Sequence, residues 1–110
     1  MEYKLKIYET STGKCPFDKW FNDLADQKAQ ALIDLRLERI KHGNFGNCES
    51  IGNGVCELKI DFGPGYRVYF GKLGIQIILL LCAGDKKSQR KDIEKAKKYF
   101  QDFKERGVKP

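Results

Sequence analysis

The sequence predicts a small α/β (α+β) fold in the order β-α-α-β-β-β-α, a mainly antiparallel sheet carrying an N-terminal helical hairpin and a C-terminal helix. Three observations predict it. From Val55 to Cys82 apolar and polar residues alternate through strand-length runs separated by glycine turns. Between Pro16 and Ile40 two apolar stripes recur every three or four residues, and a third runs from Ile93 to Phe103. No repeat, low-complexity tract or long linker divides the 110 residues, so residues 1–110 read as one domain with one core.

Taken in order, Glu2 to Glu9 sets Tyr3, Leu5 and Ile7 against Lys4, Lys6 and Tyr8 and reads as an opening strand. Pro16 suits the first turn of a helix in which Phe17, Trp20, Phe21 and Leu24 make a core stripe. Asp26 and Gln27 mark a break. Ala29, Ile33, Leu37 and Ile40 then form a second stripe, ended by Gly43. The segment Asn44 to Gly54 is rich in Gly, Asn and Ser without an apolar period, and is expected as a surface loop. In the next strand Cys56, Leu58, Ile60 and Phe62 oppose Glu57, Lys59 and Asp61; in the one after, Tyr66, Val68 and Phe70 oppose Arg67 and Tyr69. Pairing Phe62 with Tyr66 across Gly63-Pro64-Gly65 gathers Lys59, Asp61, Arg67 and Tyr69 on one face. The run Ile75 to Cys82 is apolar except at Gln76, as in a strand covered on both sides. Ala83 to Ser88 reads as a polar turn with Ser88 as helix cap. The last helix spans Gln89 to Arg106, with Ile93, Ala96, Phe100 and Phe103 as its stripe and Gly107 as its stop.

Composition bounds the function. Cys15, Cys48, Cys56 and Cys82 have no close pair spacing, which argues against disulfides or zinc and for a reducing cytoplasm. No basic-then-apolar leader opens the chain and no apolar run approaches the ~20 residues a bilayer requires, so no membrane partner is expected. Net charge is +6, unevenly spread: residues 1–83 carry 11 basic and 10 acidic side chains, residues 84–110 carry 10 and 5. That excess favours a polyanion or an acidic protein partner, although a lysine-rich helix is often just a solvated face.

His42 is the sole histidine, and no phosphate-binding loop, dinucleotide fingerprint or carboxylate-histidine metal pattern is present. Chemistry based on paired histidines, NTPase, dehydrogenase and metallohydrolase readings drop out. What remains is a set of cations on or beside a rigid sheet: Lys59, Arg67, Lys86 and Lys87, with Tyr69, Glu57 and Asp61 among them. Such cations suit a phosphodiester, because Arg grips phosphate oxygens through two donors and stabilises charge gathering on a five-coordinate phosphorus. RNA would supply its own 2′-hydroxyl nucleophile, so neither metal nor cofactor is called for. A lysine base would need its pKa lowered by several units from ~10.4, and Glu57 or Asp61 could serve instead. The competing reading is that Lys59, Asp61 and Arg67 merely form cross-strand ion pairs, worth roughly 0–1 kcal/mol.

The runs Val55-Cys56-Glu57-Leu58-Lys59-Ile60, Gly63-Pro64-Gly65-Tyr66-Arg67-Val68-Tyr69-Phe70 and Gly84-Asp85-Lys86-Lys87-Ser88-Gln89, with Asp92-Ile93 and Ala96, form a combined pattern. With Trp20-Phe21 and Gly43-Asn44-Phe45-Gly46, that pattern resembles the RelE/ParE toxin superfamily. Within it, the likeness is to the HigB-type addiction module killer proteins. The resemblance implies a RelE-like fold with a twisted sheet and the toxin of a type II toxin–antitoxin pair. Such a toxin is an mRNA interferase, an endoribonuclease that inhibits translation by cleaving mRNA on the ribosome. It implies Arg67 at the scissile phosphate and Lys59 where the group often has Arg. Lys86 is a supporting cation, with Glu57 or Tyr69 as proton carriers, and Lys87, Gln89 and Arg90 meet RNA. A cognate antitoxin of helix-turn-helix type is the implied partner, and promoter DNA is bound only through it. The ParE branch, which inhibits DNA gyrase without cutting RNA, and an inactive homologue that retains antitoxin binding are the alternatives. Ala83 before Gly84 departs from the group's usual Gly-Gly.

Overall fold

A computed structural model describes residues 2–107; residue 1 and residues 108–110 of the expected 1–110 domain lie outside the described residues. The elements are β1 (Lys4–Ile7), α1 (Pro16–Asp23), α2 (Gln27–Lys41), β2 (Cys48–Gly52), β3 (Val55–Ile60), β4 (Tyr66–Leu73), β5 (Ile77–Asp85) and α3 (Gln89–Glu105). They form one mixed α+β architecture around a five-stranded sheet ordered β1-β5-β4-β3-β2. β1 runs parallel to β5, and the other neighbours are antiparallel. No described helix is long and apolar enough to cross a membrane.

The expected order is corrected by one strand. Cys48–Gly52 is not loop but an edge strand joined to β3 by a tight hairpin, with Asn53 at φ 58° and Gly54 at φ 80°. An Asn-Gly pair with both residues left-handed is the preferred two-residue hairpin turn. This strand lacks a clear apolar face because one of its edges and much of its surface meet water.

Register is corrected by two residues. Ile60, not Phe62, pairs with Tyr66, which sets Leu58 opposite Val68, Lys59 opposite Arg67 and Glu57 opposite Tyr69. A shift of two preserves which side chains share a face, since strand periodicity is two. Asp61 thereby leaves the strand for the turn. β5 also starts and ends later than expected. Ile75 sits on the β4–β5 turn, 75% exposed, whereas Ala83, Gly84 and Asp85 are strand, not turn.

Two apolar layers hold the sheet. On one face α1 and α2 bring Phe17, Ala29, Ile33, Leu37 and Ile40 against Leu58, Ile60, Val68, Phe70, Ile78 and Leu80. On the other, α3 brings Ala96, Phe100 and Phe103 against Val55, Tyr69, Leu79 and Leu81. A bulge lets Leu81 and Cys82 together oppose Tyr69, which turns both toward α3. Local chemistry sets the helix ends. Pro16 occupies the first turn of α1, and Asp26 caps α2 by accepting from Lys28 N at 2.9 Å and Ala29 N at 3.2 Å. Ser88 stands at the N-cap of α3 but its hydroxyl donates to Asp92 Oδ2 at 2.5 Å instead of capping a backbone N–H.

Candidate functional site

Directly opposed on β3 and β4, Lys59 and Arg67 line a hollow of about 200 Å³ with Lys86, Asn47, Asp61 and Gly65. Like charges facing each other across a ladder are destabilising, so this pair requires compensation. Two carboxylates provide it. Lys59 Nζ lies 2.9 Å from Glu49 Oε1 and 4.0 Å from Glu57 Oε1, while Arg67 Nε lies 3.8 Å from Glu57 Oε2.

Glu57 is the core of the arrangement. Only 1% exposed, it takes hydrogen bonds at Oε2 from the Tyr69 hydroxyl at 2.8 Å and Gln89 Nε2 at 2.9 Å. Glu57 Oε1 and Arg67 Nε are both buried, and neither makes a hydrogen bond among the described residues. Arg67 Nε thus meets the Glu57 carboxylate as an ion pair and not as a hydrogen bond. Arg67 is anchored at its tip, where Nη1 donates to Gly65 O at 2.8 Å. Burial, and then the hydrogen bond to Glu57, pushes the Tyr69 phenol far above its ordinary value. The hydrogen bond to Glu49 raises the Lys59 ammonium above the ordinary lysine value.

The expected residues therefore divide. Arg67, Lys59 and Lys86 come together at the hollow, whereas Glu57 and Tyr69 lie beneath it, sealed by α3. Gln89 points back into this buried frame. Lys87 and Arg90 are exposed and outside the hollow, Arg90 beside Ile93 and Glu94 on α3. Asn47, Glu49 and the Gly65 carbonyl were not anticipated. The signal for the first two was the Asn53-Gly54 pair, which turns the supposed loop into a strand beside β3.

A larger cavity lies elsewhere, about 420 Å³ between α1 and α3, with Trp20, Cys82, Asp92 and Tyr99 on its walls. Its carboxylates and lysines are mixed. Burial raises the pKa of Asp92, opposed by the hydrogen bond from Ser88. His42 is exposed near Glu2 and Glu38 on the far end of α2, at 2.9 and 3.6 Å.

No family model matches the chain. Over 87 residues it is 44% identical to an uncharacterized protein of Haemophilus influenzae, a match covering 79% of this chain and 88% of that one. At that identity and coverage, this chain and the Haemophilus influenzae protein belong to one family.

Proposed function

We propose that this protein is the toxin of a type II toxin–antitoxin pair, a cytoplasmic, ribosome-dependent endoribonuclease of the RelE/ParE superfamily and HigB type. The observation that carries the reading is the opposed Lys59–Arg67 pair at an open hollow, backed by the buried Glu57. Glu49 and Glu57 balance the like-charged pair within the fold, and an RNA phosphate entering the hollow would meet Arg67 and Lys59 together with Lys86. A strand β1 parallel to β5, the α1–α2 hairpin and the α3 layer are in keeping with a RelE-like fold.

In this mechanism the RNA 2′-hydroxyl attacks the adjacent phosphorus, a 2′,3′-cyclic phosphate forms, and the 5′-oxygen departs with a proton taken from water. Arg67 and Lys86 hold the nonbridging oxygens as charge builds on them. Lys59 acts as a cation and not as a base, because its partner Glu49 favours the protonated form. Glu57 and Tyr69 are too buried to meet RNA and serve to orient Arg67. Asp61, exposed and lining the hollow, is the carboxylate that would accept the 2′-hydroxyl proton in this reading. An antitoxin with an acidic segment would cover the hollow, and its helix-turn-helix would carry the pair to promoter DNA.

The test is induction in bacteria with mapping of mRNA ends. Growth arrest with new mRNA ends is expected, and Arg67→Ala should lower cleavage about 10²–10³-fold, the cost of removing one charge-stabilising donor. Arrest that persists unchanged in Arg67→Ala, or DNA-damage signalling without RNA fragments, overturns the nuclease reading and points to gyrase.

A further inference from the structure

Apart from Glu57, Asp92 is the one charged side chain buried among the described residues, 7% exposed, and the arrangement at Arg67 makes no use of it. It stands in the first turn of α3, where its Oδ2 accepts from the Ser88 hydroxyl. A Cβ on Gly84 would overlap that oxygen, so only the bare backbone of β5 lets the carboxylate lie against the sheet. Oδ1 makes no hydrogen bond among the described residues and, unlike Glu57 Oε1, stays open to the cavity of about 420 Å³ that Asp92 lines. No cation pairs with Asp92 among the described residues, and Lys95 acts on it from a distance. A carboxylate set so deep, with one oxygen unmet, is costly unless a donor reaches it.

The cavity has aromatic walls and a basic mouth. Trp20 and Tyr99 line it half-buried, and neighbours fix both rings: Trp20 meets Tyr66 edge-on at 5.8 Å, and Tyr99 stacks on Tyr8 at 5.0 Å. Lys19 and Lys95 line it from exposed positions. Lys19 is tied to exposed Asp23 at 3.0 Å, a pair weak enough to open for another anion. The remaining wall carboxylate, Asp85, is taken up by the Ser88 N–H at 3.1 Å. Two lysines at the mouth oppose a cationic ligand. One deep acceptor, two aromatic walls and those lysines together fit a nucleobase with a phosphate attached. The volume falls within the ~300–1,000 Å³ of small-molecule sites.

We propose that this cavity holds a nucleotide whose base carries an exocyclic amino group. The amino N–H donates to Asp92 Oδ1, the base lies against Trp20 and Tyr99, and the phosphate meets Lys19 and Lys95. Cytosine presents such a donor where uracil presents a carbonyl, and a carboxylate accepts from the first and repels the second. The nucleotide is either free or one residue of an RNA strand. Gly84 on the cavity wall is the ladder partner of Arg67, and Asp85 lines the cavity while Lys86 lines the cationic hollow, so the two sites are neighbours. As a base subsite for RNA cleavage the assignment rests on the nuclease reading; as a nucleotide site it stands without it.

Trp20 is the sole tryptophan, so its indole N–H gives a single NMR signal that reports on the cavity. The experiment titrates the full-length protein with cytidine 5′-monophosphate and with uridine 5′-monophosphate and follows that signal. A saturable shift is expected, with the cytidine nucleotide binding about tenfold more tightly, the discrimination of one charge-assisted hydrogen bond. No saturable shift, or equal affinity for both, overturns the proposal. Lys95→Ala, at an exposed position, should weaken both nucleotides about fivefold at low salt, and unchanged affinity contradicts the phosphate placement. Asp92→Asn keeps an acceptor for Ser88 and should bring the two nucleotides to within about twofold; a full preference retained in the folded variant removes Asp92 from the site. Arg67→Ala separates this cavity from the hollow: an unchanged response is expected, whereas its loss places the nucleotide at Arg67 and overturns the proposal. Uncleavable 2′-O-methyl trinucleotides of cytidine and uridine distinguish the source. Cytidine preference with binding tighter than the mononucleotide supports an RNA residue, and binding weaker than the mononucleotide supports a free nucleotide.

Discussion

Glu57 shows how one side chain can set the geometry of several others. Its carboxylate joins Tyr69, Gln89, Arg67 and Lys59 from three different elements while remaining shielded from water. Replacing it with glutamine keeps an oxygen for Tyr69 but removes the charge opposite the two cations. Glu57→Gln is expected to lower stability by about 1–3 kcal/mol, as for an uncompensated buried polar network. If the proposed nuclease activity is present, the variant should also lose turnover with little change in RNA affinity, because Glu57 orients Arg67 without touching RNA. Urea unfolding and single-turnover cleavage measure the two effects separately. The common face of Lys59 and Arg67 was legible from alternation alone. Glu49 was not, because its relevance depends on a strand that pairs only after the hairpin turns back on itself.

At the level of elements, the sheet accepts α3 because two glycines leave room for one ring. A Cβ on Gly71 would come within 2.5 Å of the Phe100 ring, and one on Gly54 within 2.9 Å. Gly71→Ala is therefore expected to cost about 1–3 kcal/mol through overpacking, and Phe100→Leu in the same chain should return part of it. Denaturant midpoints of the single and double variants decide this. Capping offers an independent check on α2. Asp26→Ala removes acceptors for two backbone N–H groups and should cost about 1 kcal/mol, read as a lower thermal midpoint with unchanged helix content at low temperature. The three helices were legible from their stripes and stop signals, since those signals act within a turn or two of chain. β2 was harder to read. As an edge strand it shows no continuous apolar face, and its Gly, Asn and Ser content resembles a loop.

Over the whole molecule, burial of phenols ties stability to alkaline pH. Tyr66, Tyr69 and Tyr99 are all shifted upward by burial, and burial with the Asp102 hydrogen bond pushes Tyr8 up to about 12. Above about pH 10 the unfolded chain releases phenolic protons that the folded chain retains. The unfolded state then binds fewer protons, so stability must fall as pH rises through this window. Urea midpoints should decline steadily above about pH 10. Tyr8→Phe should make that decline shallower while lowering neutral-pH stability by about 1 kcal/mol, because Tyr8 donates to Asp102 at 2.6 Å and joins β1 to α3. A decline of unchanged slope in Tyr8→Phe would show that this phenol does not carry its share.

Periodicity in the chain determined which residues belong to strands and helices and which side chains share a face, because both follow from backbone geometry repeated every two or 3.6 residues. It placed Lys59 beside Arg67 even under a register displaced by two. Tertiary structure alone decided the pairing partner, the burial of Glu57 and Tyr69 under α3, and the retention of Lys59's proton by Glu49. Those outcomes depend on desolvation and on charges contributed from distant parts of the chain, and such forces leave no local repeat to read.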